Sequence, residues 1–241
     1  MTPVLEGRGL SMRYGDLQVL TGVDFAVSEG EAVGIVGPNG AGKTTLLNVL
    51  AGAVRPSAGT VSFGGRDVTR TRPDQRCRMG VGRAFQVPRP FGGMTVLENV
   101  VVAASYGAGL RGTALYTKAV EVLDDCGLTE LANRRAESLG LLHRKRLELA
   151  RCLATGPRVV LLDEIGAGLT DAEAAELVAA VRQIKVGNTA IVWIEHIVHV
   201  LVQVVDRLVC MDTGRVIADG SPGEVLGDAV VIDAYLGKAA S

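Results

Sequence analysis

The tightest constraint on this chain is the octapeptide GPNGAGKT, Gly37 to Thr44, set between an apolar run, Ala32 to Val36, and a helix-forming stretch, Thr44 to Leu50, closed by Gly52. It matches G-x-x-x-x-G-K-[ST] in strand–loop–helix succession. Glycines let the backbone curl and aim its N–H groups inward, and the following helix adds its positive end, so the loop suits phosphate oxygens. In such a loop Lys43 supplies a point charge to the β- and γ-phosphates, and the Thr44 hydroxyl is placed to ligate Mg²⁺. The expected ligand is ATP with Mg²⁺.

The rest of the chain must supply a sheet for this loop to sit on. Val4 to Arg13 and Val19 to Val27 read as strands joined at Gly15-Asp16, and Thr60 to Phe63 and Val81 to Phe85 as shorter ones. After Phe85 the texture changes. VPRPFGG, residues 87 to 93, reads as a loop. Three helices follow: Thr95 to about Ala104, with Thr95 and Glu98 spaced as a capping box; Ala114 to Cys126; and His143 to Ala154. Alternation then returns, with strands at Val159 to Leu162, Thr189 to Ile194, Arg207 to Asp212 and Arg215 to Ala218. Helices are expected at Asp171 to Lys185, Ile197 to Val205, Pro222 to Leu226 and Ala229 to Leu236. Strands alternating with helices on both sides of a helical insertion predict an α/β fold. The expected organisation is one domain over residues 1–241. Residues 1–86 and 157–241 build the core with its β subdomain, and 87–156 form the helical insertion.

Composition excludes several classes. A formal net charge of −1 argues against a nucleic-acid binder acting through a bulk basic field. The four cysteines form no C-x-x-C pair and lie in no His-rich cluster, so neither a zinc site nor a disulfide framework is expected; they read as reduced, buried thiols. MTPVLEGRGL lacks the regions of a signal peptide, and the most apolar stretch, Ala190 to Met211, is broken by charged and polar residues, so no membrane span is expected.

Three further features gain meaning beside the phosphate loop. VVLLDE, Val159 to Glu164, is an apolar strand ending in paired carboxylates. Ligands of such sheets sit at strand C-termini, which places Asp163 beside the loop to hold Mg²⁺ and Glu164 to polarise an attacking water. WIEH puts His196 just past the next strand, where its imidazole can reach the γ-phosphate. His199 reads as structural. Gln86, at the end of Val81 to Phe85, either touches Mg²⁺ or its water and reports to the helical insertion, or is a solvated strand end. Tyr14 either stacks on adenine or packs. The full expected nucleotide set is Tyr14, Gly37, Pro38, Asn39, Gly40, Ala41, Gly42, Lys43, Thr44, Thr45 and Gln86, with Thr44, Gln86 and Asp163 at the metal.

Taken in order, Tyr14, GPNGAGKT, Gln86, the helical insertion, VVLLDE and His196 resemble the ATP-binding subunits of ABC transporters. In that family they look like the A-loop aromatic, Walker A, Q-loop, Walker B and H-switch. The resemblance covers nearly the whole chain and implies a P-loop NTPase, RecA-like core. A narrower resemblance lies in GRAFQVPRPFGGMTVLENV, KRLELARCLA, the IEH at 194 to 196 and VIDAYLG, which look like the branched-chain amino-acid transport ATPases. It implies ATP hydrolysis coupled to solute uptake, most simply of branched-chain or related amino acids. It also implies a second ATPase subunit, two membrane permease subunits and an extracytoplasmic solute-binding protein. The chain would be peripheral, on the cytoplasmic face of the membrane. The alternatives are a soluble ABC ATPase not linked to transport, and a P-loop kinase.

One family element departs from its pattern. The signature motif, usually LSGGQ, binds the γ-phosphate held by the partner subunit. The aligned stretch here is Leu139, Gly140, Leu141, Leu142 and His143. Gly140 has no hydroxyl to donate, the side chain of Leu142 is expected to obstruct close approach, and His143 replaces the glutamine. Ile165 stands where the family usually has proline, and AGLTD, 167 to 171, resembles the D-loop region. This points to a degenerate signature facing the partner's site, and to a different chain with an intact signature as the partner.

Overall fold

Alternating burial builds the first sheet. In the computed structural model, which describes residues 3–236, β1 (Leu5–Tyr14) and β2 (Leu17–Val27) form an antiparallel hairpin turning at Gly15-Asp16. One face of this hairpin carries Leu5, Leu10, Met12, Leu20, Val23, Phe25 and Val27, all buried. β4 (Ala58–Phe63) adds to β1 on its other side, and β5 (Arg66–Asp67) closes the order β2-β1-β4-β5.

The second sheet needs no alternation in its sequence, because both its faces are covered. Every residue of β3 (Ala32–Val36), β7 (Val159–Asp163) and β8 (Ala190–Ile194) is buried. With β6 (Val81–Ala84), β9 (Arg207–Asp212) and β10 (Arg215–Gly220) the order is β10-β9-β3-β8-β7-β6, parallel except for β10. The period of two sorts the side chains. Val33, Ile35, Val159, Leu161, Val192 and Ile194 pack with the first sheet and with α1 (Lys43–Ala51). Ala32, Val36, Val160, Leu162, Ile191 and Trp193 face the remaining helices. Fully burying one such aliphatic or aromatic side chain is worth roughly 1.5–3 kcal/mol, so these two faces hold the layers together.

Between residues 87 and 156 there is no strand, only an isolated bridge between Thr95 and Arg135. α3 (Val96–Gly107), α4 (Gly112–Asp125) and α5 (Leu141–Ala154) pack on one another there. The expected capping box is made: Thr95 Oγ accepts from the Glu98 N–H and the Glu98 carboxylate accepts from the Thr95 N–H. α6 (Asp171–Val186), α8 (Pro222–Gly227) and α9 (Ala229–Leu236) lie close to their expected bounds.

The short β5 was not expected, and three helices differ most from expectation. α2 (Pro73–Met79) had no apolar period to announce it, because Arg76 is its one buried residue. Its guanidinium donates to the carbonyls of Thr71, Val49, Leu50, Val68 and Thr69, tying α2 to the C-terminus of α1. Burial pulls the Arg76 pKa down to about 10, leaving it charged at neutral pH. α7 covers only Val198–Leu201 instead of Ile197 to Val205. Past Leu201 the N–H groups of Gln203 and Val204 bond only three residues back, to Val200 and Leu201, and side chains of α6 hold the segment that follows: Arg182 bonds Gln203 O and Lys185 bonds Val204 O. α5 begins at Leu141 rather than His143, since Gly140 is its N-cap and its carbonyl accepts the first helical bond from Arg144.

Candidate active site

Strand register decides what meets at the C-terminal edge of the parallel sheet. Ala84 is level with Leu162, and Asp163 is level with Ile194. Two residues past Ala84 therefore brings Gln86 level with Glu164, and His196 lies just beyond Ile194. β3 ends on the same edge at Val36 and runs directly into the phosphate loop.

The loop is shaped by its glycines. Gly37 has φ +143°, and a Cβ there would stand 2.0 Å from the Met211 carbonyl oxygen. Gly42, the α1 N-cap, has φ +96°. Lys43 is buried and its ammonium donates to the carbonyls of Gly37 at 2.6 Å and Pro38 at 3.0 Å, so it braces the start of the loop. Asn39, Gly40, Ala41, Gly42, Lys43, Thr44 and Thr45 line a cleft of about 230 Å³ together with Val19 and Glu164. Tyr14 is exposed at the end of β1; the residue of that hairpin lining the cleft is Val19.

The paired carboxylates point different ways. Asp163 is buried; its Oδ1 lies 3.4 Å from Thr44 Oγ1, and its Oδ2 is ion-paired with Arg83 at 2.9 Å. Glu164 has φ +47°, uncommon for a residue with a side chain. Its N–H donates to the Ile194 carbonyl at 2.9 Å, which holds that turn against β8. Its carboxylate is bonded on both sides, by His196 Nε2 to Oε1 at 2.7 Å and by Gln86 Nε2 to Oε2 at 2.7 Å. The amide of Gln86, expected at the metal, is thus engaged by Glu164, as the strand register dictates. His199 is exposed on α7, away from this cluster.

Sequence reasoning missed three charged side chains that organise this edge. Arg83 holds Asp163. Lys145 of α5 is buried and its ammonium donates to the Gln86 carbonyl at 2.9 Å; burial holds its amine below the usual lysine range. Glu195, also buried, accepts from the Gly166 N–H through Oε2 and from the His196 N–H through Oε1, both at 3.0 Å. The available signal was a charge inside or beside an apolar run, in GVGRAF and IVWIEH.

The signature segment is corrected in one respect. Leu142 is buried and so does not obstruct a facing surface. Leu141 is the exposed side chain, 45 % accessible, leaning toward Gly168. Leu142 lies three and seven residues before Lys145 and Leu149, on the buried face of α5. Gly140 is exposed and makes no side-chain cap, and His143 is half-buried.

A phosphate loop at the head of a parallel sheet, with a carboxylate pair two strands away and a helical insertion, defines a P-loop nucleoside triphosphatase. The model of the family described as ABC transporter matches residues 20–167, and that of the branched-chain amino acid ATP-binding cassette transporter matches residues 215–241. The chain belongs to the ABC transporter family, among its ATP-binding subunits. It is 37% identical to the high-affinity branched-chain amino acid transport ATP-binding protein BraF of Pseudomonas aeruginosa, aligned over 98% of this chain and 99% of that protein. It is 38% identical to the protein LivG of Salmonella typhimurium, named for the same role, with the same coverage. Among solved structures, a nucleotide-free ATP-binding cassette from an ABC transporter superposes with a TM-score of 0.89 at 29% identity, covering 97% of this chain and 99% of that one. The ADP conformation of the cassette MJ1267 gives 0.89 at 29% identity, covering 98% and 100%. Among the described residues no helix is long and apolar enough to cross a membrane.

Proposed function

We propose that this chain binds and hydrolyses ATP to power an importer of branched-chain or related amino acids. The observation that carries the reading is the Glu164 carboxylate, held between His196 and Gln86 and lining the phosphate-loop cleft one residue beyond Asp163. The relatives' names supply the solute class.

The loop N–H groups and Lys43 bind the phosphates, Lys43 exchanging loop carbonyls for phosphate oxygens. Thr44 and Asp163 converge as hard oxygen donors, which suits Mg²⁺. Thr44 and Asp163 would hold the ion, which would supply positive charge against the phosphates. Glu164 accepts a proton from, or orients, the attacking water. His196 leaves Glu164 to contact the γ-phosphate, and Gln86 carries the state of the site toward the helical insertion. Tyr14 stacks on the adenine. Catalysis is positioning plus charge stabilisation, with no covalent intermediate.

In this reading residues 87–156 act as a subdomain that presents Gly140 to His143 to a second ATPase subunit, and 1–86 with 157–241 hold the nucleotide. The partner is a different chain with an intact signature. Two permease subunits dock on the exposed Phe85, Val87 and Phe91 beside Arg89 and Arg151, and a solute-binding protein feeds them from outside. The chain is peripheral on the cytoplasmic face and binds no nucleic acid, in keeping with its balanced charge. The test is reconstitution with the permeases, the second ATPase and the binding protein in vesicles. Uptake of leucine, isoleucine or valine that requires ATP and is lost with Lys43→Ala supports the reading. Uptake indifferent to Lys43→Ala overturns it.

A further inference from the structure

Arg83 occupies a place that the fold reserves for apolar side chains. It lies two residues past Val81 on β6, so both point toward α1, where Val81, Val159 and Leu161 pack against Leu46, Leu47 and Leu50. Asp163 is two residues past Leu161 and points the same way. The pair is nearly dry, with side chains 12% and 8% exposed. A buried ion pair gives little net stability over well-packed apolar residues. Arg83 Nε is moreover buried without a hydrogen-bond partner. Stability alone gives no reason for a guanidinium here.

Its contacts give one. One guanidinium nitrogen of Arg83 donates to Asp163 Oδ2 at 2.9 Å, and the other to Asn48 Oδ1 at 2.7 Å. Asn48 stands four residues after Thr44, on the same face of α1. The Phe85 ring lies under the guanidinium, 4.7 Å from its centroid, and shields that face from water. The planar fork therefore spans β7 and the phosphate-loop helix. It takes one oxygen of Asp163 and leaves the other, Oδ1, turned to the Thr44 hydroxyl.

We propose that Arg83 is a positioning residue for the metal: anchored on Asn48, it fixes the Asp163 carboxylate so that Oδ1 faces the Mg²⁺ position beside Thr44. The inference rests on the ATP–Mg²⁺ reading above. Mg²⁺ demands near-ideal octahedral geometry, so a carboxylate free to rotate serves it poorly. Groups that orient metal-ligating side chains typically contribute 10–100-fold in metal affinity.

The experiment measures affinity of the full chain for the non-hydrolysable analogue AMP-PNP by calorimetry, with Mg²⁺ and with EDTA, alongside thermal unfolding without nucleotide. Arg83→Lys keeps the charge and loses the fork; Asn48→Ala keeps the ion pair and loses the anchor. In Arg83→Lys the enhancement of affinity by Mg²⁺ falls about tenfold while affinity in EDTA stays at the wild-type value. In Asn48→Ala the enhancement falls by a smaller factor in the same direction. A wild-type enhancement in both variants, whatever their melting temperatures, makes Arg83 a structural clamp only and overturns the proposal. A wild-type protein whose affinity does not respond to Mg²⁺ overturns the reading beneath it instead.

Discussion

His196 Nε2 lies 2.7 Å from Glu164 Oε1, although the two residues are 32 apart in the chain. Parallel pairing of β7 with β8 closes that distance, and Gln86 Nε2 reaches the other oxygen from β6. A carboxylate held by two donors is fixed in orientation. In the function proposed above, a bound γ-phosphate and the attacking water would compete for those donors. That reading ties the position of His196 to occupancy of the cleft.

Replacing the carboxylate alone tests its chemical part. Glu164→Gln keeps the size of the side chain and its amide oxygen as an acceptor. Phosphate release by the assembled transporter should fall by about 10²–10⁴, the usual contribution of a general base. ATP affinity should be retained, and gel filtration with ATP should show a stable dimer of ATPase subunits. Hydrolysis within a few-fold of wild type would remove Glu164 from the chemistry.

The signature segment divides into an exposed and a buried part, which predicts opposite results for neighbouring leucines. Gly140→Ser with Leu141→Gly restores a hydroxyl and clears the exposed side chain, and should raise phosphate release by the assembled transporter. Leu142→Gly removes a buried side chain and should destabilise the fold by about 2–5 kcal/mol, as large-to-small core changes do. Urea unfolding of the isolated chain reads the second effect. Unchanged hydrolysis in the double variant would show that the departures at this segment do not limit turnover.

Arg76 is another charge the fold has taken inside. Arg76→Met leaves the Leu50 carbonyl without its buried donor, while the Val49 and Val68 carbonyls keep the N–H groups of Gly52 and Thr71. An orphaned buried acceptor costs about 1–3 kcal/mol, so the variant should lose about that much in urea unfolding. Because α1 also carries Lys43 and Thr44, a folded remnant should bind nucleotide more weakly. Loss below ~1 kcal/mol would mean that water replaces the guanidinium.

The thiols should separate cleanly. Burial pushes Cys126 up to about 12, Cys210 up to about 11 and Cys152 well above the usual thiol range. A raised pKa keeps the thiol protonated and unreactive below it, so at pH 8 these three should resist iodoacetamide in the native protein. Cys77, half-buried on α2, should be the one alkylated, as read by peptide mass. Four equivalents taken up under native conditions would contradict the burial described.

The sequence by itself determined the parts whose physics is local. GPNGAGKT encodes its own conformation, because Gly37 and Gly42 adopt φ values that other residues resist. VVLLDE and IVWIEH announce strands buried on both faces by being apolar without a break, and Thr95 with Glu98 writes its own helix start. From these alone Lys43, Thr44, Asp163, Glu164 and His196 could be placed on one edge of one sheet. Tertiary structure decided the rest, since it depends on register and on which way a side chain turns. Gln86 bonds Glu164 because Ala84 pairs with Leu162. Leu142 is buried and Leu141 exposed because Leu142 shares the packed face of α5 with Lys145 and Leu149. α2, Arg83, Lys145 and Glu195 stayed hidden for a common reason. Each is stabilised by carbonyls, amides or carboxylates distant in the chain, and no pattern of apolar residues marks a partner that only folding brings near.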